Sequence, residues 1–383
     1  MKELYSFQYG FGNVIPDNGG QYPIYGSNGI IGYYDQYNSE DSPVIGHIGA
    51  NAGVVVFGKG KHYVTYNGVI CKVKADVYQK YAYYVLLNSN PKRLTRGSTQ
   101  PFISYDLLEE IPVFIHDKDK QYLVGDLLSV LDEKIALNNE INSELENTAK
   151  DLYNYWFVQF DFPDEKGRPY KSSGGKMVYN SLLKREIPEG WKVENFNKYA
   201  TIGSGFPFSS KKYSSNGNWR IVTIKNVQDG YLDLSTIETI NNIPANIPEF
   251  VKLKIGDVLI SLTGNVGRMC FVDSYNLLLN QRVGKLLTSK VFLNFAYLIL
   301  SSQEQQIRLG RISNGSSQKN LSPIQAADFN FTNPSIEILN LFNSKINGIY
   351  EQVIKNKQEN IELIQLRDFL LPMLMNGQVS VSD

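Results

Sequence analysis

The sequence predicts an α+β chain built from two similar β-rich domains, each followed by one long helix. Three observations predict it. Two segments carry apolar stripes at helical spacing, the regions before them hold short β-like runs, and one set of motifs occurs twice. The chain has 383 residues, which is more than a single hydrophobic core usually serves. We therefore expect two domains.

Composition excludes several classes of protein. Hydrophobic residues make up 42% of the chain and charged residues 20%, which is incompatible with general disorder. Two cysteines, Cys71 and Cys270, cannot build a disulfide framework, so we expect a reduced, cytoplasmic protein. The first residues lack the apolar core of a signal peptide, and no run of about 18 apolar residues occurs, which disfavours secretion and membrane insertion.

Charge is distributed unevenly along the chain. The 38 basic residues balance the 38 acidic residues, and a neutral total weighs weakly against a nucleic-acid partner. However, residues 191–335 carry 15 basic and 9 acidic groups, whereas residues 116–160 carry 4 and 9. The basic region weakens the objection to nucleic-acid binding without removing it.

Two long segments have the pattern of amphipathic helices. The first runs from Asp117 to Val158, and the second begins at Asn333-Pro334, a pair typical of a helix start, and stops near Asn376-Gly377. Their stripes are Leu128, Leu131, Ile135, Ile141, Leu145 and Leu152, and Ile346, Ile349, Val353, Leu363, Leu366 and Leu370. Helices of roughly 50–60 Å with Asn138 and Asn142 on or beside the stripe predict pairing as a coiled coil.

The other regions are rich in glycine and tyrosine and contain short β-like runs. These runs are residues 43–45, 53–57 and 68–73 in the first region, and 257–262 and 284–288 in the second. Turn pairs such as Asn67-Gly68 separate them. Short helices are expected at Lys80–Leu87 and Asn294–Leu309.

The two halves of the chain repeat each other. Gly49–Gly53 aligns with Thr263–Gly267, and Gly97–Gln100 followed by Ser104 aligns with Gly315–Gln318 followed by Ser322. The second offset, 218 residues, also carries Leu131 onto Ile349 and Leu145 onto Leu363. A duplicated domain-plus-helix unit accounts for this agreement.

Six motifs in a fixed order resemble those of the specificity (S) subunit of type I restriction–modification enzymes. They are residues 22–33, beginning Tyr-Pro-Ile-Tyr-Gly, 97–104, 131–135, 156–160, 187–191, reading Ile-Pro-Glu-Gly-Trp, and 366–372. The resemblance covers nearly the whole chain. One departure is that the first half begins without the Gly-Trp lead-in that precedes the second, so its domain is expected to lack an edge element.

The resemblance implies both an architecture and a function. It divides the chain into target recognition domain 1 (1–116), spacer helix 1 (117–160), a linker (161–190), target recognition domain 2 (191–332), spacer helix 2 (333–376) and a tail (377–383). Each domain would read one half of a bipartite double-stranded DNA site. The helices would pack antiparallel and dock methyltransferase (M) subunits, two of them, in a complex that also contains restriction (R) subunits. S-adenosylmethionine would bind the M subunits, and ATP and magnesium would serve the R subunits, so no cofactor is expected in this chain.

Candidate DNA contacts are the Lys, Arg and small polar residues in loops, because these side chains reach phosphates and base edges. In the first half they are Lys59, Lys61, Arg93, Arg96, Ser98 and Gln100. In the second half they are Lys225, Asn226, Asn265, Arg268, Gln281, Arg282, Arg308, Arg311, Asn314, Ser316, Gln318 and Lys319. Any one of them is equally compatible with an ordinary solvated surface. The paired loops 97–100 and 315–318, taken together, favour proximity to DNA.

The aromatic run at the end of the first helix is compatible with base stacking, but its position favours packing or a subunit contact. Candidates for docking a partner subunit are Tyr155, Trp156, Phe157 and Arg367.

No pattern in the sequence indicates catalysis. His47, His62 and His116 are scattered and do not combine with the cysteines at metal-ligand spacing. A phosphate-binding loop and an amino-methyltransferase motif are both missing. The acidic cluster Asp161, Asp164 and Glu165 fits a polar linker better than a nuclease site.

Two other functions remain open on the sequence alone. One is an unfamiliar methyltransferase or nuclease that needs no partner. The other is a tandem interaction protein that binds protein or carbohydrate without DNA specificity.

Overall fold

The computed structural model describes residues 1–12, 17–74, 76–315 and 319–379. The chain divides into two compact units, Met1–Ala136 with Ile361–Asp383, and Leu137–Asn360. Each unit contains a β-rich domain together with part of each of two long helices, which confirms the expected fold class. Within the described ranges, no helix has both the length and the apolar character needed to cross a membrane.

The first unit is built on one six-stranded sheet. Its strands are β1 Tyr5–Tyr9, β2 Tyr22–Gly26, β3 Gly29–Tyr34, β4 Ser39–Gly46, β5 Val55–Val64 and β6 Gly68–Val73. They lie in the order β1-β6-β4-β5-β2-β3, and only β2 and β5 run parallel. Val44, Ile45, Val69 and Ile70 of the central strands are fully buried, as β-branched residues in a covered sheet should be. Helices α1 Gln79–Asn88, α2 Tyr105–Glu109 and α3 Lys118–Tyr153 follow.

The second unit contains more and shorter strands. They are β7 Met177–Asn180, β8 Arg185–Pro188, β9 Lys192–Asn195, β10 Ala200–Ser204, β11 Trp219–Val222, β12 Glu238–Ile240, β13 Val258–Ser261, β14 Met269–Phe271, β15 Leu277–Leu279, β16 Val283–Thr288 and β17 Asn330–Asn333. Its helices are α4 Lys290–Ser301, α5 Gln303–Ile312 and α6 Pro323–Ala327, and α7 Ile336–Met375 ends the chain's regular structure. The segment expected as a linker contains the hairpin β7–β8, and its flanking rings Phe162 and Trp191 stack at 4.7 Å.

The two units share one strand order, so the internal repeat extends to topology. The strand order β10-β16-β13-β14 of the second unit corresponds to β1-β6-β4-β5 of the first, and β15-β11-β12 corresponds to β5-β2-β3. In the first unit β5 runs antiparallel to β4 and then parallel to β2. In the second unit two strands take the place of β5. Strand β14 pairs antiparallel with β13, β15 pairs parallel with β11, and residues 272–276 connect them, so the second unit has two sheets where the first has one.

The second unit also has a small sheet that the first unit does not repeat. Strand β17 pairs with β9, which directly follows Trp191. Residues 112–115 occupy the β17 position of the first unit and do not form a strand.

Two helix boundaries differ from the sequence prediction. The second long helix begins at Ile336 rather than at Asn333-Pro334, because Asn333 lies in β17 and donates its amide hydrogens to Glu194 and Tyr199. The single helix expected over residues 294–309 is wrong. Ser302 is extended, ends α4, and caps α5 by accepting a hydrogen bond from the backbone of Gln305.

Helices α3 and α7 pair antiparallel through buried asparagines. In the second unit, Asn138 donates to Asn360 over 2.9 Å, and Asn356 donates to Asn142 over 2.8 Å. The repeat offset of 218 carries Asn138 onto Asn356 and Asn142 onto Asn360. The two pairs are therefore related by a local pseudo-twofold axis. Buried asparagine pairs of this kind specify register, because a shifted helix would leave their amides without partners.

The asparagines displace part of the stripe expected at the seam. Ile141 is 38% exposed and Leu366 is 45% exposed, although both belong to the predicted apolar stripes. The seam passes instead through Asn138, Asn142 and Ala149, which are all buried. Apolar side chains on these helices are therefore left on the outer surface.

The asparagine pairing predicts a specific pattern of stabilities. Asn356→Ala leaves the buried amide of Asn142 without its partner and is expected to lower the free energy of unfolding by about 1–3 kcal/mol. Replacing both Asn142 and Asn356 with leucine removes the unpaired groups and is expected to be neutral or stabilising. Chemical denaturation measures both. Asn340→Ala, at an exposed site on the same helix, is the control, and a loss as large as that of Asn356→Ala would contradict the role of the pair.

Candidate nucleic-acid interface

Three of the predicted loops of the second unit meet at one point. Leu262 donates its backbone hydrogen to the carbonyl of Arg282 over 3.1 Å and accepts one from Leu321 over 2.8 Å. Next to it, Gly264 donates to the carbonyl of Lys319 over 2.9 Å. The backbone thus ties the segments 262–268, 280–282 and 314–320 together.

An open cleft of about 320 Å³ lies where these loops meet. Its polar lining is Ser204, Thr263, Gln281, Arg282, Asn320 and Ser322. The side chains of Gln281 and Arg282 are exposed and, among the described residues, hydrogen-bond to no other group. Both therefore keep their full hydrogen-bonding capacity for a ligand, and these residue types read purine edges in DNA.

The first unit repeats the same backbone frame. His47 donates to the carbonyl of Asn67 over 2.8 Å and accepts from Ile103 over 3.0 Å, while Gly49 donates to Pro101 over 2.8 Å. His47 is thus equivalent to Leu262, and Asn67 to Arg282. Gly49 is equivalent to Gly264, so the alignment of Gly49 with Thr263 is wrong by one residue.

The paired loops are closed in the same way in both units. Arg96 and Phe102 exchange two backbone hydrogen bonds of 2.9 and 2.8 Å, and Asn314 and Asn320 exchange two of 2.9 and 2.7 Å. The glycine after the first member has positive φ in both, +91° at Gly97 and +112° at Gly315, which glycine adopts without strain. The described residues that flank the two motifs therefore share a backbone structure.

Most of the predicted contact residues lie on the surface near these loops. Exposed in the first unit are Arg93, Arg96, Ser98 and Gln100, and exposed in the second are Lys225, Asn265, Gln281, Arg282, Arg311, Asn314 and Lys319. Ser316 and Gln318 lie outside the described residues. The exposed set of the second unit contains four cations, Lys225, Arg282, Arg311 and Lys319, and Arg282 lines the cleft.

Two predicted contact residues have structural roles instead. Asn226 is 2% exposed; its amide donates to the carbonyl of Asp233 and accepts from the backbone and hydroxyl of Thr223. Arg308 donates to Gln305 and to backbone carbonyls of α6, and its guanidinium lies 4.6 Å over the ring of Phe329. Burial lowers the pKa of Arg308, and the charge of Asp328 opposes that effect.

Arg268 is intermediate between these cases. It is half-buried, it donates to the side chain of Gln228, and its Nε lies 3.9 Å from a carboxylate oxygen of Asp229. The residue holds the loop after β13 against the turn that contains Lys225.

Lys59 and Lys61 lie away from the paired loop of the first unit. They lie in β5, about 13 Å and about 20 Å along the strand from its first residue, Val55. Lys59 borders a pocket with Asp41, Asp132 and Glu133, and the ammonium of Lys61 lies 4.6 Å from the ring centre of Tyr37. The structure does not bring them together with Arg96.

Sequence reasoning missed Tyr66 and Asn67, which occupy the positions of Gln281 and Arg282 in the first unit. Tyr66 is 40% exposed. The offset between β6 and β16 is 215 residues rather than 218, because the units differ by three residues between these strands and the paired loops. Applying that second offset to Gln281 and Arg282 would have identified both.

The predicted docking residues divide into buried and accessible ones. Trp156 and Phe157 belong to the core of the second unit, where both contact Phe342 and Phe157 also contacts Phe295. Tyr155 is 38% exposed. Arg367 bonds Asp132 over 2.7 Å and Asp368 over 2.8 Å; burial alone would lower its pKa, but these hydrogen bonds raise it above the usual value.

The acidic cluster after α3 closes a turn. Asp161 accepts hydrogen bonds from the backbone and hydroxyl of Ser172, and Asp164 accepts from the backbone of Lys166 and from Arg168. Among the described residues, no three His, Cys, Asp or Glu side chains are grouped to hold a metal.

Comparison with known proteins identifies the family. The family model described as "Type I restriction modification DNA specificity domain" matches residues 13–147 and 188–365. The chain belongs to this family, and it acts as the DNA sequence-specificity subunit of a type I restriction–modification system.

Individual relatives agree with the family model. The chain is similar to the type I restriction enzyme HindI specificity subunit of Haemophilus influenzae, with 24% identity over 335 residues, covering 74% of this chain and 72% of the relative. It is also similar to the MjaIX specificity subunit of Methanocaldococcus jannaschii, with 24% identity over 323 residues, 81% of this chain and 71% of the relative. The crystal structure of a type I S subunit from M. genitalium has the same fold, with a TM-score of 0.59, 16% identity and coverage of 98% and 94%.

Arg311 and Lys319, on either side of the loop 315–318, predict a salt-dependent contact. Arg311→Glu with Lys319→Glu is expected to weaken DNA binding by the chain assembled with methyltransferase subunits, and to reduce the slope of log affinity against log salt by about two. A salt titration of binding measures this. The control, Lys345→Glu with Lys355→Glu on exposed sites of α7, makes the same charge change elsewhere. Equal slopes for the two double variants would remove the loop from the interface.

Proposed function

We propose that each domain of this chain reads one half of a bipartite DNA site, and that α3 and α7 fix the separation of the halves. The duplicated cleft frame supports the proposal most directly, because the same backbone hydrogen bonds present a surface at equivalent positions of both domains. Two similar readers joined by fixed helices suit a duplex, whose own local symmetry sets where half-sites can lie.

In this proposal the lengths of the two helices determine the spacing. Helix α3 has 36 residues and α7 has 40, and each continues from one compact unit into the other. The asparagine pairs specify how the two helices align. The length of the helices would then set the number of bases between the two half-sites, and the identity of those bases would not be recognised.

Catalysis would belong to partner subunits. We expect methyl transfer from S-adenosylmethionine in the M subunits, and ATP- and magnesium-dependent cleavage in R subunits, with this chain supplying only the DNA sequence preference. A cytoplasmic location follows from this proposal, since the substrate is genomic DNA.

Sequencing methylated bases in cells that carry this chain and its M subunit tests the half-site proposal. The wild type is expected to give one bipartite motif. Inserting one heptad between residues 136 and 137 and another between 361 and 362 lengthens both helices by about 10 Å, which is about three base pairs at 3.4 Å each. The motif should keep both halves and gain about three unread positions.

Two results would reject the proposal. One is an unchanged spacing between halves in the insertion variant. The other is a wild-type complex that methylates without any split motif, which would favour an interaction protein without DNA specificity. Methyl transfer by the purified chain alone would indicate instead a self-sufficient enzyme.

The outer faces of the long helices are the proposed docking surface for M subunits. Leu366 and Phe369 are 45% and 65% exposed on α7, and Leu137 and Ile141 are 49% and 38% exposed on α3. Apolar side chains grouped on a helix surface are typical of subunit contacts. Trp156 and Phe157 have no part in it because they are buried.

Substitution of these apolar residues tests the docking surface. Leu366→Asp with Phe369→Asp is expected to reduce co-purification of the M subunit at least tenfold, since charges replace buried apolar contacts. The control is Tyr179→Asp with Leu182→Asp, at 64% and 63% exposed sites of the β7–β8 hairpin. Undiminished co-purification of the helix variant, with an unchanged melting temperature, would contradict the assignment.

A further inference from the structure

The equivalent clefts of the two domains have opposite chemistry. Four positions that line the cleft in the second domain, three of them polar and one a proline, are aromatic in the first. Pairing registers and the shared backbone frame give the equivalences Ser204 to Tyr9, Gln281 to Tyr66, Asn320 to Phe102 and Pro323 to Tyr105.

Aromatic residues at these positions of the first domain pack against one another. Tyr9 stacks on His47 with ring centres 4.4 Å apart and contacts Tyr105 at 4.8 Å. The ring of His47 also meets the ring of Tyr66 edge-on, with ring centres 5.3 Å apart. The four rings therefore pack against one another as a single cluster.

Two members of the cluster region remain open to solvent. Tyr66 is 40% exposed and Phe102 is 42% exposed, and these are the residues that replace Gln281 and Asn320. Phe102 forms an antiparallel bridge with Arg96, so both side chains lie on one face of the loop. An apolar surface is thus flanked by a cation suited to phosphate contact.

We propose that the two domains read their half-sites by different chemistry. The first domain recognises the methyl group of a thymine in the major groove through Tyr66 and Phe102. The second domain recognises purine edges through hydrogen bonds from Gln281 and Arg282. The inference rests on the proposed half-site function.

The chemistry of the grooves explains the assignment. The thymine methyl group is the only apolar group that a base pair presents in the major groove, and aromatic or aliphatic side chains contact it. Arginine and glutamine instead bind the acceptors and donors of guanine and adenine. The first half-site must therefore contain an A·T pair, and the second must contain a purine contacted at N7.

Base analogues test the inference in the assembled complex, on the motif found by methylation sequencing. The half-site whose base preference relaxes in Arg282→Ala belongs to the second domain, and the other to the first. Replacing thymine by uracil in the first half-site removes only the methyl group and is expected to weaken binding by about three- to tenfold. Replacing guanine or adenine by its 7-deaza analogue should weaken binding in the second half-site only.

Variants connect the effect to the residues. Phe102→Asn, which introduces the residue of the second domain, is expected to abolish discrimination between thymine and uracil. Phe114→Asn, at a 65% exposed aromatic of the same unit, should retain it, and melting temperatures report whether both variants fold. If Phe102→Asn unfolds, Tyr66→Gln provides the same comparison.

Three outcomes separate the claims. The inference is supported if Phe102→Asn or Tyr66→Gln loses its sensitivity to uracil while Phe114→Asn retains it. A bipartite motif whose first half lacks an A·T pair, or is insensitive to uracil, overturns it while leaving the half-site function intact. Failure to find any bipartite motif overturns the function itself.

Discussion

The buried asparagine pairs between α3 and α7 are the constraint on which the rest of the structure depends. Each helix follows one copy of a duplicated domain, and the pairs Asn138–Asn360 and Asn142–Asn356 interchange under the repeat. An apolar seam alone would tolerate several registers, whereas buried amides penalise every register that separates them. The pairs also lower the stability of the fold, since the buried Nδ2 of Asn142 has no hydrogen-bond partner among the described residues.

The two copies share the backbone frame but differ in the side chains that it carries. Both domains keep the hydrogen bonds that link the strand β4 or β13 to the paired loop, and both keep a glycine with positive φ there. The side chains on this frame diverged from polar in one copy to aromatic in the other. A single chain can thereby read two different half-sites with one architecture, because backbone bonds position the surface and side chains determine its chemistry.

The sequence predicts the large features of the fold because they are repeated or periodic. The long helices, the strands at Val69 and Leu259 and the duplicated loops all follow from apolar spacing or from matched motifs. The break at Ser302 was missed, since the apolar pattern continues across it and only the cap to Gln305 reveals it. Among the candidate contacts, Gln281 and Lys319 were recognisable as loop residues, whereas Arg311 lies in the last turn of α5. Asn226 and Arg308 were not distinguishable from them, because the carbonyl groups that they bind come from other segments.

Hydrogen exchange of the assembled complex, with and without its cognate duplex, tests the central claim most directly. That claim is that the two equivalent clefts are both DNA surfaces. Slower exchange on adding DNA is expected in both frames, at residues 66–67 and 96–102 in the first domain and 281–282 and 314–320 in the second, with little change around Lys59 and Lys61. Protection confined to one domain, or centred on the middle of β5, would contradict the account.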